Sequence, residues 1–170
     1  MIVRLANIND LNQIMEIISD AKILLKNSGS MQWNTDSYPN EETMKKDINN
    51  KVLYLVENNA LILGVAAFIF GNDENYNSIN GKWLTDKIEY LAIHRIAVRN
   101  GFYHTGITTL LMNKAIEIAK SYNTSIKADT HKLNIPMQKL LLKTGFSYCG
   151  EITLIRSSVD NLRLAYELIL

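Results

Sequence analysis

The stretch IAVRNGFYHTGITTLLMNKAIEIAK, from Ile96 to Lys120, concentrates residues able to do chemistry. Its pattern is a strand end, a short loop and a long helix opening near Gly106. Such a junction aims free backbone N–H groups and the positive end of the helix dipole at one point, and phosphates bind there. Thr105, Gly106, Ile107 and Thr108 would supply the N–H groups. Gly106 is the only glycine between Phe102 and Lys120, so an ordinary strand-to-helix turn is the competing reading. A second candidate is the segment Ser28 to Asn40, where Gln32, Trp33 and Tyr38 could wall a pocket. Asp36 on that segment, with Asp73, Glu74 and Asp86 on another, could add carboxylates; taken singly, each acid reads equally as a solvated loop residue.

The elements that must position these residues follow from hydrophobic spacing. Ile2 to Ala6 reads as a short strand, and Ile8, Leu11, Ile14, Met15, Ile18, Ala21 and Leu25 then recur at helical intervals. Asn40 caps a short helix whose first turn holds Glu41 and Glu42. KVLYLVEN and ALILGVAAFIFG are β-rich runs separated by Asn58 and Asn59, a hairpin signal. Residues 71–86 form a polar loop, and KIEYLAIHRIAV is a central strand, apolar on both faces. The helix from Gly106 puts Ile107, Leu110, Leu111, Ala115, Ile118, Ala119 and Tyr122 on one stripe. SIKADTH is a strand, Asn134 and Pro136 open a helix that stops at Gly145, and two strands close the chain. The order β-α-α-β-β-β-α-β-α-β-β implies a mixed sheet with helices on both faces.

Composition narrows the classes. With 170 residues, 47% apolar and 21% charged, the chain suits one soluble globular domain. Eighteen basic residues against seventeen acidic leave a net charge of +1 with no long basic block, which argues against nucleic acid as a partner. The longest apolar run, Leu61 to Phe70, contains Gly64 and is too short to span a bilayer. Cys149 is the only cysteine and MIVRLANIND lacks an apolar signal core, so a cytoplasmic location is expected.

The whole chain resembles the GNAT N-acetyltransferase superfamily. That family's strand ending in Val, followed by Arg/Gln-x-x-Gly-x-Gly/Ala opening a helix, corresponds to Val98 and to Tyr103 through Thr108. Its Asn-x-x-Ala, followed by a helix ending Leu-Tyr-x-Lys-x-Gly-Phe, corresponds to Asn134 through Met137 and Leu140 through Phe146. A subset of bacterial members looks closer still, sharing IHRIAV, DTH, MQKLL and GFSYCGEI in the same order. The resemblance implies one domain over residues 1–170 of the α/β (α+β) class. Its sheet would be mixed, mostly antiparallel, with about seven strands flanked by about four helices.

The resemblance also implies a reaction: direct transfer of an acetyl group from acetyl-coenzyme A to an amine, of a small molecule or a peptide, with no metal. The loop Tyr103, His104, Thr105, Gly106, Ile107 and Thr108 would hold the pyrophosphate, mainly through backbone amides. Tyr103 replaces the motif's Arg/Gln, His104 a common glycine and Thr108 a small residue. These departures add side-chain donors but remove steric freedom, so weaker cofactor binding is expected. The fourth strand would splay from the fifth at a bulge, where Ile96, Ala97 and Val98 would offer backbone N–H groups to the thioester and pantetheine arm. Asn134 would bond that arm, cap its helix, or do both.

An alkylamine of pKa near 10 is about one part in a thousand neutral at pH 7, so a base is needed. His94 is the first candidate, with a hydrogen-bonded core histidine as the alternative. His131 is the second, its alternative being an anchor for the following loop. The family's tyrosine acid falls at Leu141, leaving Tyr122 and Tyr148 as substitutes or, on the bland reading, core residues. Cys149 reads as packing. A non-catalytic acyl-coenzyme A sensor, or an enzyme using a longer acyl donor, are the rival functions. No membrane partner is expected, and a homodimer is left open.

Overall fold

The structure, a computed structural model, describes residues 1–34, 37–155 and 160–170. Asp36, one of the expected pocket acids, lies outside the described residues. Strand β1 (Ile2–Leu5) leads into α1 (Leu11–Asn27), and α2 (Glu41–Asn49) follows. Asn40 caps α2, its Oδ1 accepting the Thr43 N–H at 2.9 Å. β2 (Leu53–Asn58) and β3 (Leu61–Gly71) form the expected hairpin. Asn59 and Ala60 both take positive φ at its tip, the twist a tight two-residue hairpin turn requires. After β4 (Asn80–Gly81) come β5 (Tyr90–Val98), α3 (Ile107–Ser121), β6 (Ile126–Thr130), α4 (Ile135–Thr144), β7 (Ser147–Thr153) and β8 (Leu162–Leu168).

The eight strands form one sheet in the order β1-β2-β3-β5-β6-β8-β7-β4, antiparallel throughout except for the β5–β6 pair. Helices α3 and α4 cover one face: Ile107, Leu111, Met112, Ala115 and Leu141 pack with Phe68, Leu91 and Ile93. On the other face α1 and α2 bring Ile14, Ile17, Ile18 and Met44 against Leu55, Val65 and Ala67. Each such aliphatic side chain contributes roughly 1.5–3 kcal/mol when fully buried.

The strand count exceeds the expected seven by one, and the addition lies in the stretch read as a polar loop. Two residues carry no periodicity, so β4 left no sequence signal. It exists because Gly81 and Gly150 let two backbones meet: a Cβ on either would lie within 2.3 Å of a carbonyl oxygen opposite. The same segment folds Tyr76, Ile79 and Trp83 onto the sheet beside Tyr90, Ala92, Ile152 and Ala165 as a small separate core. Among the described residues no helix is long and apolar enough to cross a membrane.

Candidate active site

β5 breaks its register in mid-strand. Val65 pairs with Ala97 and Gly64 with Val98, yet Ala67 pairs with His94, so Arg95 and Ile96 together face Ala66. This is a β-bulge, and Arg95 takes it up with φ of 53°, a left-handed conformation costly for a side chain with a Cβ. The guanidinium is fixed in compensation: Nε donates to Asp47 Oδ2 at 2.6 Å, Nη2 to Asp47 Oδ1 at 3.1 Å and Nη1 to the Tyr38 hydroxyl at 2.6 Å. The resemblance implies a bulge in this strand, and the register places it at Arg95 and Ile96.

On its other edge β5 pairs with β6 only from Leu91 to Ile93, and beyond that point the two strands part. The Arg99 N–H donates to Leu63 O on β3. Alternation from there turns the Ala97 N–H toward β3 and those of Ile96 and Val98 toward the gap. Of the three residues expected to offer amides, Ile96 and Val98 are therefore placed to do so, while the Ala97 amide serves the sheet. Across the gap, Thr130 Oγ1 on β6 is the one buried side-chain oxygen or nitrogen without a partner among the described residues.

The loop after β5 turns into α3 at Gly106, whose φ is 87°. No side chain caps the helix, and a Cβ at Gly106 would meet nothing within 4 Å, so the space beside Gly106 at the helix start is open. Gly64 lets the helix seat on β3, because a Cβ there would come within 2.5 Å of Ile107 Cγ2. Thr105 Oγ1 donates to Phe102 O at 2.6 Å, so that hydroxyl hydrogen is spent on the turn. His104 occupies φ of 64°, which gives physical meaning to the family's glycine at this position. Tyr103 is half-buried and Thr108 partly buried at the helix start. Burial raises the Tyr103 phenol above its usual pKa, helped by the negative charge of Asp20.

His94, immediately before the bulge, pairs its Nε2 with Asp73 Oδ2 at 3.0 Å. Burial alone would raise the Asp73 pKa, but the His94 hydrogen bond and charge, with the Asn75 N–H groups, hold it down to about 2. Asp73 is itself fixed: its N–H donates to the Tyr90 hydroxyl at 2.8 Å and its Oδ1 accepts the Asn75 N–H at 2.9 Å. The Tyr76 ring stands 6.1 Å from the imidazole and its hydroxyl donates to Asp129 Oδ1 at 2.7 Å. Among the described acids weighed as loop residues, Asp73 has a specific partner; Glu74 and Asp86 are exposed.

His131 is buried, with Nε2 2.8 Å from Asp160 Oδ1 and Nδ1 accepting the Leu133 N–H at 3.2 Å. Both ring nitrogens are occupied, which is the anchoring arrangement. Asn134 caps α4 through the Met137 N–H at 3.3 Å and donates to Gln32 Oε1 at 3.4 Å. Gln32 also receives the His131 N–H, so it braces the β6–α4 connection. Trp33 packs on the α1 and α2 core, and Tyr38 sits over Arg95. Leu141 is fully buried. The core reading of the two tyrosines needs correcting: Tyr122 and Tyr148 are each more than half exposed, Tyr122 stacked on Phe70 at the far end of α3 and Tyr148 edge-on to Tyr166. Cys149 is buried, and burial pushes its thiol pKa up. No group of three or more His, Cys, Asp or Glu able to hold a metal ion occurs among the described residues.

A splayed, bulged central strand beside an uncapped helix N-terminus is the arrangement that the resemblance to the GNAT superfamily implies. The family model for the acetyltransferase (GNAT) family matches residues 11–146, and the chain belongs to that family, whose members transfer an acyl group from acyl-coenzyme A to an amine. A GNAT family acetyltransferase from Streptococcus agalactiae shares 36% identity over 99% of this chain and 95% of its own, with a TM-score of 0.90. An N-acetyltransferase from Staphylococcus aureus at 24% identity (99% and 97% covered, TM-score 0.70) has the same fold. So does a ribosomal-protein-alanine N-acetyltransferase from Brucella melitensis at 17% (100% of both chains, TM-score 0.70). A comparison with curated protein sequences found no match.

Proposed function

We propose that the chain is an acetyl-coenzyme A-dependent N-acetyltransferase, a single catalytic domain in which His94 is the base. The observation that carries this reading is the His94–Asp73 pair, set immediately before a bulge on the strand that opens the β5–β6 gap. The residues present fit the cofactor: the open space beside Gly106 at the start of α3 suits a pyrophosphate, and Ile96, Val98 and the partnerless Thr130 hydroxyl suit the polar arm. Acetyl-coenzyme A supplies the activated acyl carbon. The chain's own part is to orient it with the β5 amides, to give those amides to the carbonyl oxygen as negative charge develops there, and to take the amine's proton on His94. Asp73 would keep the imidazole oriented and stabilise the imidazolium. Tyr38, held on Arg95, and Trp33 would border the acceptor. Gln32 would act through Asn134 and His131. The lone, buried Cys149 fits a reducing cytoplasm.

The test is turnover of acetyl-coenzyme A against a library of small amines and peptide amino termini, following free thiol. Acetylated product from at least one amine class is expected. Binding of acetyl-coenzyme A without turnover of any amine would make the protein a sensor, and faster turnover with succinyl-coenzyme A would reassign the donor.

A further inference from the structure

A second cavity, of about 380 Å³, lies under the segment between β3 and β5, lined by Asn72, Tyr76, Trp83, Thr85, Tyr90 and Lys127. Neither His94 nor the β5 amides line it; Tyr76 stands with one side to the cavity and its ring 6.1 Å from His94. Lys127 is the unusual member. It lies on β6 and is only 3% exposed. Its ammonium rests 4.1 Å from the Tyr90 ring centroid and 4.4 Å from that of Trp83.

The side chain is enclosed while its ammonium faces the cavity, and an ammonium held between aromatic rings normally has a carboxylate against it, since the attraction of two aromatic faces is small beside the cost of giving up water. The obvious candidate is Glu167, opposite Lys127 in the β6–β8 register. Its oxygens are already taken by the Leu84 N–H, the Thr85 N–H and hydroxyl, and the Ser125 hydroxyl, at 2.6–3.2 Å. Asp86 lines the same cavity, but it is exposed, and Lys82 and Lys87 beside it leave an excess of positive charge. Among the described residues no carboxylate forms an ion pair with Lys127. The walls combine this cation with apolar faces of Tyr76, Ile79, Trp83 and Tyr90, and the volume falls in the range of small-ligand sites.

We infer that this cavity is a binding site for a small organic carboxylate, its charge on Lys127 and its apolar body between Trp83 and Tyr90. The ligand completes an ion pair that the chain leaves half-built. Burial lowers the proton affinity of Lys127, with Glu167 and Asp86 opposing, and a bound carboxylate would favour the protonated form further. Such binding requires neither acetyl-coenzyme A nor turnover, so its failure is separable from failure of the proposed reaction.

Benzoate is a suitable probe, with benzamide as its neutral counterpart of the same shape. At tenfold excess over Kd, benzoate should raise Tm by about 3–6 °C, and benzamide at the same concentration should not. Lys127→Met should lose the shift. Spectra of the unaltered protein give an independent reading that needs no variant to fold. The two tryptophan indoles are separate reporters: benzoate should move the Trp83 Nε1–H resonance, whose proton is donated to Tyr76 O at 2.9 Å, and leave that of Trp33 in place. Equal shifts from benzoate and benzamide, a shift that survives in Lys127→Met, or an unmoved Trp83 indole at millimolar benzoate would each overturn the assignment.

Discussion

His94 Nε2 lies 3.0 Å from Asp73 Oδ2, joining the central strand to the segment that follows β3, and each side chain keeps about one-fifth of its surface exposed. Access and orientation are thus combined at one imidazole, whereas His131 has both nitrogens committed inside the fold. His94→Ala should lower kcat by about 10²–10⁴ with little effect on cofactor affinity. Asp73→Asn should cost less and alter the pH dependence of kcat. His131→Ala should act mainly on stability, by about 1–3 kcal/mol, because it removes a buried side chain together with the acceptor of the Leu133 N–H and the partner of Asp160. The opposite ranking of the two histidines, at saturating cofactor with one acceptor, would transfer the role of base to His131.

Acid should weaken the same pair. The folded pKa of Asp73, about 2, lies below the ordinary carboxylate value, so its contribution is fully present above that ordinary value and is lost as pH falls through about 2. While both groups are ionised the contribution is on the order of 1–2 kcal/mol, reduced by solvent at a partly exposed pair. Urea melts of the parent and Asp73→Asn should therefore differ at pH 5 and converge toward pH 2. A constant difference across that range would contradict the coupling.

Gly106→Val should abolish stabilisation by acetyl-coenzyme A, otherwise roughly 2.7 kcal/mol at a hundredfold excess over Kd. The added Cβ meets no atom within 4 Å, but φ of 87° is disfavoured for valine, so the first turn of α3 should shift while the core stays packed. Melting curves with and without cofactor check this, and a full shift retained in the variant would place the pyrophosphate elsewhere.

Asp47→Ala should destabilise by about 3–5 kcal/mol, because it leaves the Arg95 guanidinium buried without its carboxylate. Arg95→Gly strands the buried Asp47 carboxylate in turn, but glycine accepts φ of 53° without strain, so its loss should be the smaller of the two. Denaturant midpoints at pH 7 give the ranking, and equal losses would show that bulge strain does not contribute.

With Leu141 buried where the family has a tyrosine, and Tyr122 roughly 24 Å along α3 from Gly106, neither position offers a phenol as a dedicated acid. A thiol of pKa near 8.5 leaves readily as thiolate, so the pH profile of kcat should show no tyrosine-dependent falling limb up to about pH 9.5. Tyr122→Phe and Tyr148→Phe should retain that profile; a falling limb that either variant removes would restore the acid.

The elements of the fold were legible because each is written in local periodicity: the apolar stripe of α1, the Asn40 and Asn134 caps, the Gly145 stop and the two-residue turn between β2 and β3 all act within a few residues of chain. Gly106 was legible for the same reason, as were the resemblance that named His94 and the absence of an acid at Leu141. Other features depend on groups far apart in sequence. The bulge at Arg95 is a register mismatch between two strands, and it decides that Ile96 and Val98, but not Ala97, face the gap. Asp73 is set apart from Glu74 by its burial and by what lies opposite it, and His131 from His94 by deeper burial and an occupied second nitrogen. The short strand β4 rests on two glycines whose backbones must meet, and the cavity at Lys127 on a carboxylate that other donors have claimed. Residue type and spacing specify helices, strands and caps because those interactions are local; which polar atoms are satisfied, and by whom, is settled only when distant segments close on one another.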